Sequence, residues 1–205
     1  MSIVAKEGGT RELLPAEMLQ AVCYGVVDVG TQETKFGLKR QVYVFWEIPS
    51  LRHETKDGEG KPKVKNKKYN LSLHDKSTLG KDLASWRGKP FTAEQKKGFD
   101  ITNLLGANCL LQIVHEVGSN EKLYDNIATI TPLMKGMEKL SPENGILEYS
   151  IADDGFDFPE NMYDWLQEMI LESSEYKAGG SPDAVRQDEF DGDEETSPDD
   201  GDIPF

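Results

Sequence analysis

Residues 41–48, QVYVFWEI, constrain the fold more tightly than any other stretch of the chain. Alternation puts Val42, Val44, Trp46 and Ile48 on one face and Gln41, Tyr43, Phe45 and Glu47 on the other, which is the period of a β-strand. The first set suits a packed interior. The second leaves Tyr43 and Phe45 on the opposite face, where two aromatic rings need either a ligand or a cover. Pro49 is expected to stop the strand, because it has no N–H to give to a ladder.

The flanking segments extend this pattern. Residues 19–34, LQAVCYGVVDVGTQET, are rich in Val and predict a long strand, with a bulge or bend at Gly25 or Gly30. Residues 50–68, SLRHETKDGEGKPKVKNKK, lack an apolar period and predict a long mobile hairpin loop. Alternation resumes in KYNLSLHD, a third strand with Tyr69, Leu71 and Leu73 on one side. Leu79, Leu83 and Trp86 then fall at i, i+4 and i+7, a helical face ended by Gly88. Thr92 is a candidate N-cap for short helical turns that stop at Gly98. Two further strands, ANCLLQIVHEV and KLYDNIATITPL, flank the turn GSNE.

Five strands with a helix between the third and fourth is the element order of the OB-fold, a five-stranded Greek-key barrel that binds oligonucleotides. The expected fold class is therefore mainly β. Beyond Pro132, Met162, Trp165, Met169 and Ile170 predict one amphipathic helix over about 160–173, whose expected seat is the barrel itself. The expected organisation is a flexible lead-in over 1–18, the domain over 19–177 and a disordered acidic tail over 178–205.

Charge is segregated along the chain. The formal net charge is −14, yet residues 35–97 carry sixteen Lys or Arg against seven Asp or Glu, a local balance of +9. Residues 148–180 balance to −8 and residues 181–205 to −9. A uniformly acidic chain would repel phosphates, whereas a basic middle attracts them. Cys23 and Cys109 are too few for a disulfide scaffold and are expected to be buried thiols. The N-terminus lacks the apolar run of a signal peptide and no stretch is long enough for a membrane span, so a cytoplasmic location is expected.

Enzyme signatures are weak. STLGKD lacks the residues of a phosphate loop, and His53, His74 and His115 fit no metal spacing. DDGFD and DEFDGDEE lack the ligand spacing of a calcium loop. No enzyme activity, cofactor or metal is therefore expected, and a metal-dependent nuclease is the least favoured alternative.

Binding residues are better represented. Tyr43 and Phe45 either stack bases or lie beneath the C-terminal helix or in a subunit interface. Lys61, Lys63, Lys65 and Lys67, with Lys68 and Asn70 on the third strand, suit a phosphate backbone, as do Lys39 and Arg40. Arg87 and Lys89 are further candidates, while Trp86 and Phe91 are expected to pack the connecting helix.

The segment DDGDIPF resembles the C-terminal tip of bacterial single-stranded-DNA-binding proteins, and YNLSLHDKSTLGKDLASWRGKPF and FDITNLLGANCLLQIVH look like their small bacteriophage counterparts. The resemblance implies a protein that coats single-stranded DNA and recruits polymerase-, helicase- or nuclease-type proteins of replication and recombination. It gives Phe205 the role of entering a partner's apolar pocket beside Ile203 and Pro204, with Asp199, Asp200 and Asp202 as the acidic lead-in. A flexible tail of about 25 residues spans roughly 25–30 Å, enough to compete with DNA for its own basic face. A strand-annealing mediator and an acidic DNA mimic are the alternative functions, and a homo-oligomer is compatible with all of them.

Overall fold

The computed structural model describes residues 12–55 and 58–179. The chain is mainly β. Its six strands are β1 (Met18–Thr34), β2 (Gly37–Thr55), β3 (Gly58–Asn70), β4 (Asn108–Val117), β5 (Leu123–Thr131) and β6 (Leu147–Tyr149). Between β3 and β4 lie α1 (Thr78–Arg87), α2 (Ala93–Lys97) and a 3-10 turn (Ile101–Leu104), and α3 (Ile151–Asp154), α4 (Asp164–Leu171) and α5 (Ser174–Lys177) follow β6. Among the described residues no helix is long and apolar enough to cross a membrane.

The sheet order is β3-β2-β1-β4-β5, with every neighbouring pair antiparallel, and β6 joins β1 in parallel. β3 and β5 are edges of an open sheet. β1 changes partners along its length: residues 18–22 pair with β4 and residues 25–27 with β6, while its other side runs along β2. Two register shifts make this possible, one at each of the glycines that the sequence marks. Gly25 lies opposite Phe45, and a Cβ there would stand 3.1 Å from the Phe45 Cβ, a close approach that favours glycine. Gly30 has φ +72°, and a side chain there would also strike Glu175, Ile151 and Ser173.

Two apolar clusters lie on opposite faces of the sheet. Val42, Val44, Trp46 and Ile48 join Tyr69, Leu111 and Ile113 in the first, which α1 covers with Leu79, Leu83 and Trp86. Tyr24, Val27, Val29 and Phe45 form the second, covered by Leu147, Tyr149, Met162, Leu166 and Ile170. Leu166 and Ile170 are fully buried, and each contributes about 1.5–3 kcal/mol to holding the C-terminal segment down. Trp165, on the same helix, lies against Tyr43, Phe45 and Tyr163 at the rim of that core and is 38% exposed.

Several expectations are corrected. Pro49 does not end β2: the register shifts between Ile48 and Arg52, so the proline sits where the ladder is already interrupted. The expected mobile loop over 50–68 is instead the end of β2, residues 50–55, and most of β3. The third strand ends at Asn70, and Leu71 is exposed beyond it. Of the lead-in, Leu14 is buried, its N–H donating to Asp125 Oδ2 at 3.1 Å and its carbonyl meeting His115 Nε2 at 2.8 Å. The C-terminal helix starts at Asp164, later than expected, and β6 was not foreseen.

Candidate nucleic-acid interface

The alternation of β3 divides its lysines between two destinations. Lys63, Lys65 and Lys67 stand opposite Ile48, Trp46 and Val44, on the core-facing side of the sheet. Val64, Asn66, Lys68 and Asn70 stand opposite Glu47, Phe45, Tyr43 and Gln41, on the other side. The first group lays its apolar stems along the core edge, and Lys65 and Lys67 send their ammonium groups towards β5. Lys65 Nζ donates to the Asp125 carboxylate at 2.9 Å and to the Asp125 carbonyl. Lys67 Nζ donates to Asp82 Oδ2 at 2.7 Å and to the Ile127 carbonyl at 3.3 Å. Lys63 pairs with Glu12 at 2.6 Å and holds that carboxyl below the usual range through its hydrogen bond and charge.

Lys65 and Lys67 bridge the two open edges where no backbone ladder joins them. Tyr69 adds to the seam, its hydroxyl donating to Asp82 Oδ2 at 2.8 Å, and burial first and Asp82 second push its pKa up. Lys65 and Asp125 are both nearly buried, with 11% and 3% of their side chains exposed. Three of the lysines expected on DNA are therefore engaged inside the fold.

The outer side of β3 is different. Asn66, Lys68 and Asn70 are exposed, whereas Val64 on the same side packs against the second cluster. Gln41 Nε2 donates to Asn70 Oδ1 at 3.1 Å. A cleft of about 350 Å³ continues from this strip, lined by Gln41, Lys68, Tyr69, Asn70, Lys76, Ser77 and Thr78. Its two ammonium groups, amides and hydroxyls can donate to phosphate and sugar oxygens.

The strip runs on towards the β1–β2 turn. Leu71 N–H donates to the Arg40 carbonyl at 2.8 Å, which ties the end of β3 to the base of that hairpin. At the tip Phe36 is 65% exposed and Lys35 Nζ lies 4.8 Å from its ring centroid. Thr34 Oγ1 fixes the turn by accepting from the Phe36 N–H and donating to the Gly37 carbonyl. The sequence KFGLK carried a signal for this site, an aromatic ring between lysines at a glycine turn, which strand patterning alone passes over.

The remaining candidates are dispersed. Phe45 is buried, stacked on Tyr163 with centroids 5.6 Å apart; it lies beneath the C-terminal segment and cannot meet a base. Tyr43 is half-buried, its pKa pushed up by burial, with its ring edge-on to Trp165 at 5.0 Å. Arg40 pairs with Asp28 at 2.7 Å, and Lys39 lies half-buried beside it on β2. Lys61 is exposed within β3. Arg87 is taken up by Phe91 and Phe99, 4.2 and 5.6 Å from their centroids, and by Gln95 at 3.1 Å; exposed Lys89 follows the end of α1. Trp86 packs in the core and donates to the Asn108 carbonyl at 3.0 Å.

Cys23 and Cys109 are free, buried thiols, and desolvation pushes the pKa of Cys23 up to about 12. Asp199, Asp200, Asp202, Ile203, Pro204 and Phe205 lie outside the described residues. Among the described residues no cluster of His, Cys, Asp and Glu is arranged to hold a metal ion. No family model, curated protein or solved structure matches the chain.

Proposed function

We propose that the chain is a non-enzymatic single-stranded-DNA-binding protein of OB-fold type, with little sequence preference. The observation that carries this reading is the exposed strip formed by Asn66, Lys68 and Asn70, the cleft with Lys76, and the tip with Lys35 and Phe36. It joins cations to an accessible aromatic ring, Phe36, the combination that follows a phosphate backbone while stacking unpaired bases. The strand order β3-β2-β1-β4-β5, the helix between β3 and β4 and the lysine seam between β3 and β5 are what a barrel of this type needs. The acidic segment over 181–205 then serves replication and recombination proteins, with Ile203, Pro204 and Phe205 as the apolar contact.

The test is a fluorescence-anisotropy titration of labelled single-stranded and duplex oligonucleotides. Single strands are expected to bind more tightly, and deletion of residues 197–205 is expected to strengthen that binding by removing a competitor. Equal affinity for both forms, or no binding, would reject the proposal.

A further inference from the structure

Trp165 packs on the rings of Tyr43, Phe45 and Tyr163 and stays partly open to solvent. The chain has three tryptophans; Trp46 and Trp86 are buried, whereas Trp165 is 38% exposed. The helix that carries it is already anchored by Leu166 and Ile170. Its ring is nonetheless held in a fixed frame, edge-on to Tyr43 at 5.0 Å and nearly parallel to Tyr163 at 6.3 Å. A large aromatic side chain rigidly braced on one side and open on the other is a stacking platform.

Its neighbours decide what would stack there. Tyr43 stands directly across from Lys68 on the outer side of β3, so the Trp165 ring borders the basic strip through Tyr43. On the helix itself Asp164 and Glu168 are exposed beside Trp165, and they repel phosphates. A strand of DNA passing this corner therefore keeps its backbone on the Lys68 side and turns a base towards the ring. Resting on the DNA-binding reading above, we infer that Trp165 is a base-stacking residue, supplied to the β3 strip by the acidic C-terminal segment. The platform that Phe45 would have offered is thus replaced by a residue from the element that covers Phe45.

The three tryptophans make the test direct. The full chain is titrated with a labelled oligothymidylate, and anisotropy of the label is read together with intrinsic tryptophan emission. Binding is expected to quench the emission, and Trp165→Phe is expected to abolish that change, because Trp46 and Trp86 remain shielded. Trp165→Ala is expected to weaken binding by about 5- to 150-fold, with Trp165→Phe recovering part of the loss. Glu168→Gln is expected to tighten binding by removing a repelling charge. Binding with unchanged emission, or full affinity in Trp165→Ala, would overturn the role of Trp165 while leaving DNA binding in place. Absence of any anisotropy change would overturn both. If Trp165→Ala unfolds in a thermal melt, the emission of wild type against Trp165→Phe decides.

Discussion

Lys67 and Lys68 are adjacent in sequence and opposite in use. Lys67 turns towards the core side, where Asp82 and the Ile127 carbonyl hold it; Lys68 turns outward onto a strip open to solvent. The same contrast separates Lys63 and Lys65 from Asn66 and Asn70. A period of two in lysine is therefore no measure of a DNA-binding surface. Alternate residues of an edge strand sit in different environments, and one set of ammonium groups substitutes for a missing backbone ladder. The seam lysines should govern stability, and the outward residues should govern affinity.

The largest effect is expected at Lys65. Lys65→Ala removes the nearly buried ammonium group that donates to the Asp125 carboxylate, 3% exposed, and to the Asp125 carbonyl. A loss of about 3–5 kcal/mol in urea-unfolding stability is expected, with DNA affinity of the folded fraction retained. Weakened DNA binding with unchanged stability would reverse the assignment of the two lysine sets.

A smaller effect is expected at Tyr69. Tyr69→Phe removes one hydrogen bond to a carboxylate and should cost about 1.5–3 kcal/mol at neutral pH. The folded state raises the pKa of Tyr69 above its ordinary value of 10.0, so above that pH the unfolded chain loses its proton first and stability falls. Tyr69→Phe lacks this alkaline loss, and the two stability curves should converge as the pH rises beyond about 10. Parallel curves would show that Tyr69 does not hold its proton in the fold.

The smallest effect on stability is expected at Lys68. Lys68→Gln removes an exposed charge and should leave unfolding within about 0.5 kcal/mol of wild type.

Much of this architecture is legible in the residues. The buried trio Leu79, Leu83 and Trp86 marks α1, Gly88 closes it, and Thr92 and Gln95 form a capping box. The bulges fall at the marked glycines. Residues 50–55 of β2 and most of β3 were not legible, because they are written in charged and polar residues, and strand signals weigh apolar ones. Lysine stems there lie where Val or Ile would ordinarily mark the inward face. The two uses open to Tyr43 and Phe45 could not be separated locally, since the cover comes from Tyr163 and Trp165, more than a hundred residues away. Phe36 carries no pattern signal because a turn has no period.

The most direct test is the salt dependence of single-stranded-DNA affinity in wild type, Lys68→Gln and Lys67→Gln. If Lys68 meets a phosphate and Lys67 does not, log affinity against log salt should be shallower by about 0.7 in Lys68→Gln alone. Lys67→Gln, where folded, should keep the wild-type slope. A shallower slope in Lys67→Gln with none in Lys68→Gln, or an affinity indifferent to salt in wild type, would contradict the placement of DNA on the outer side of β3.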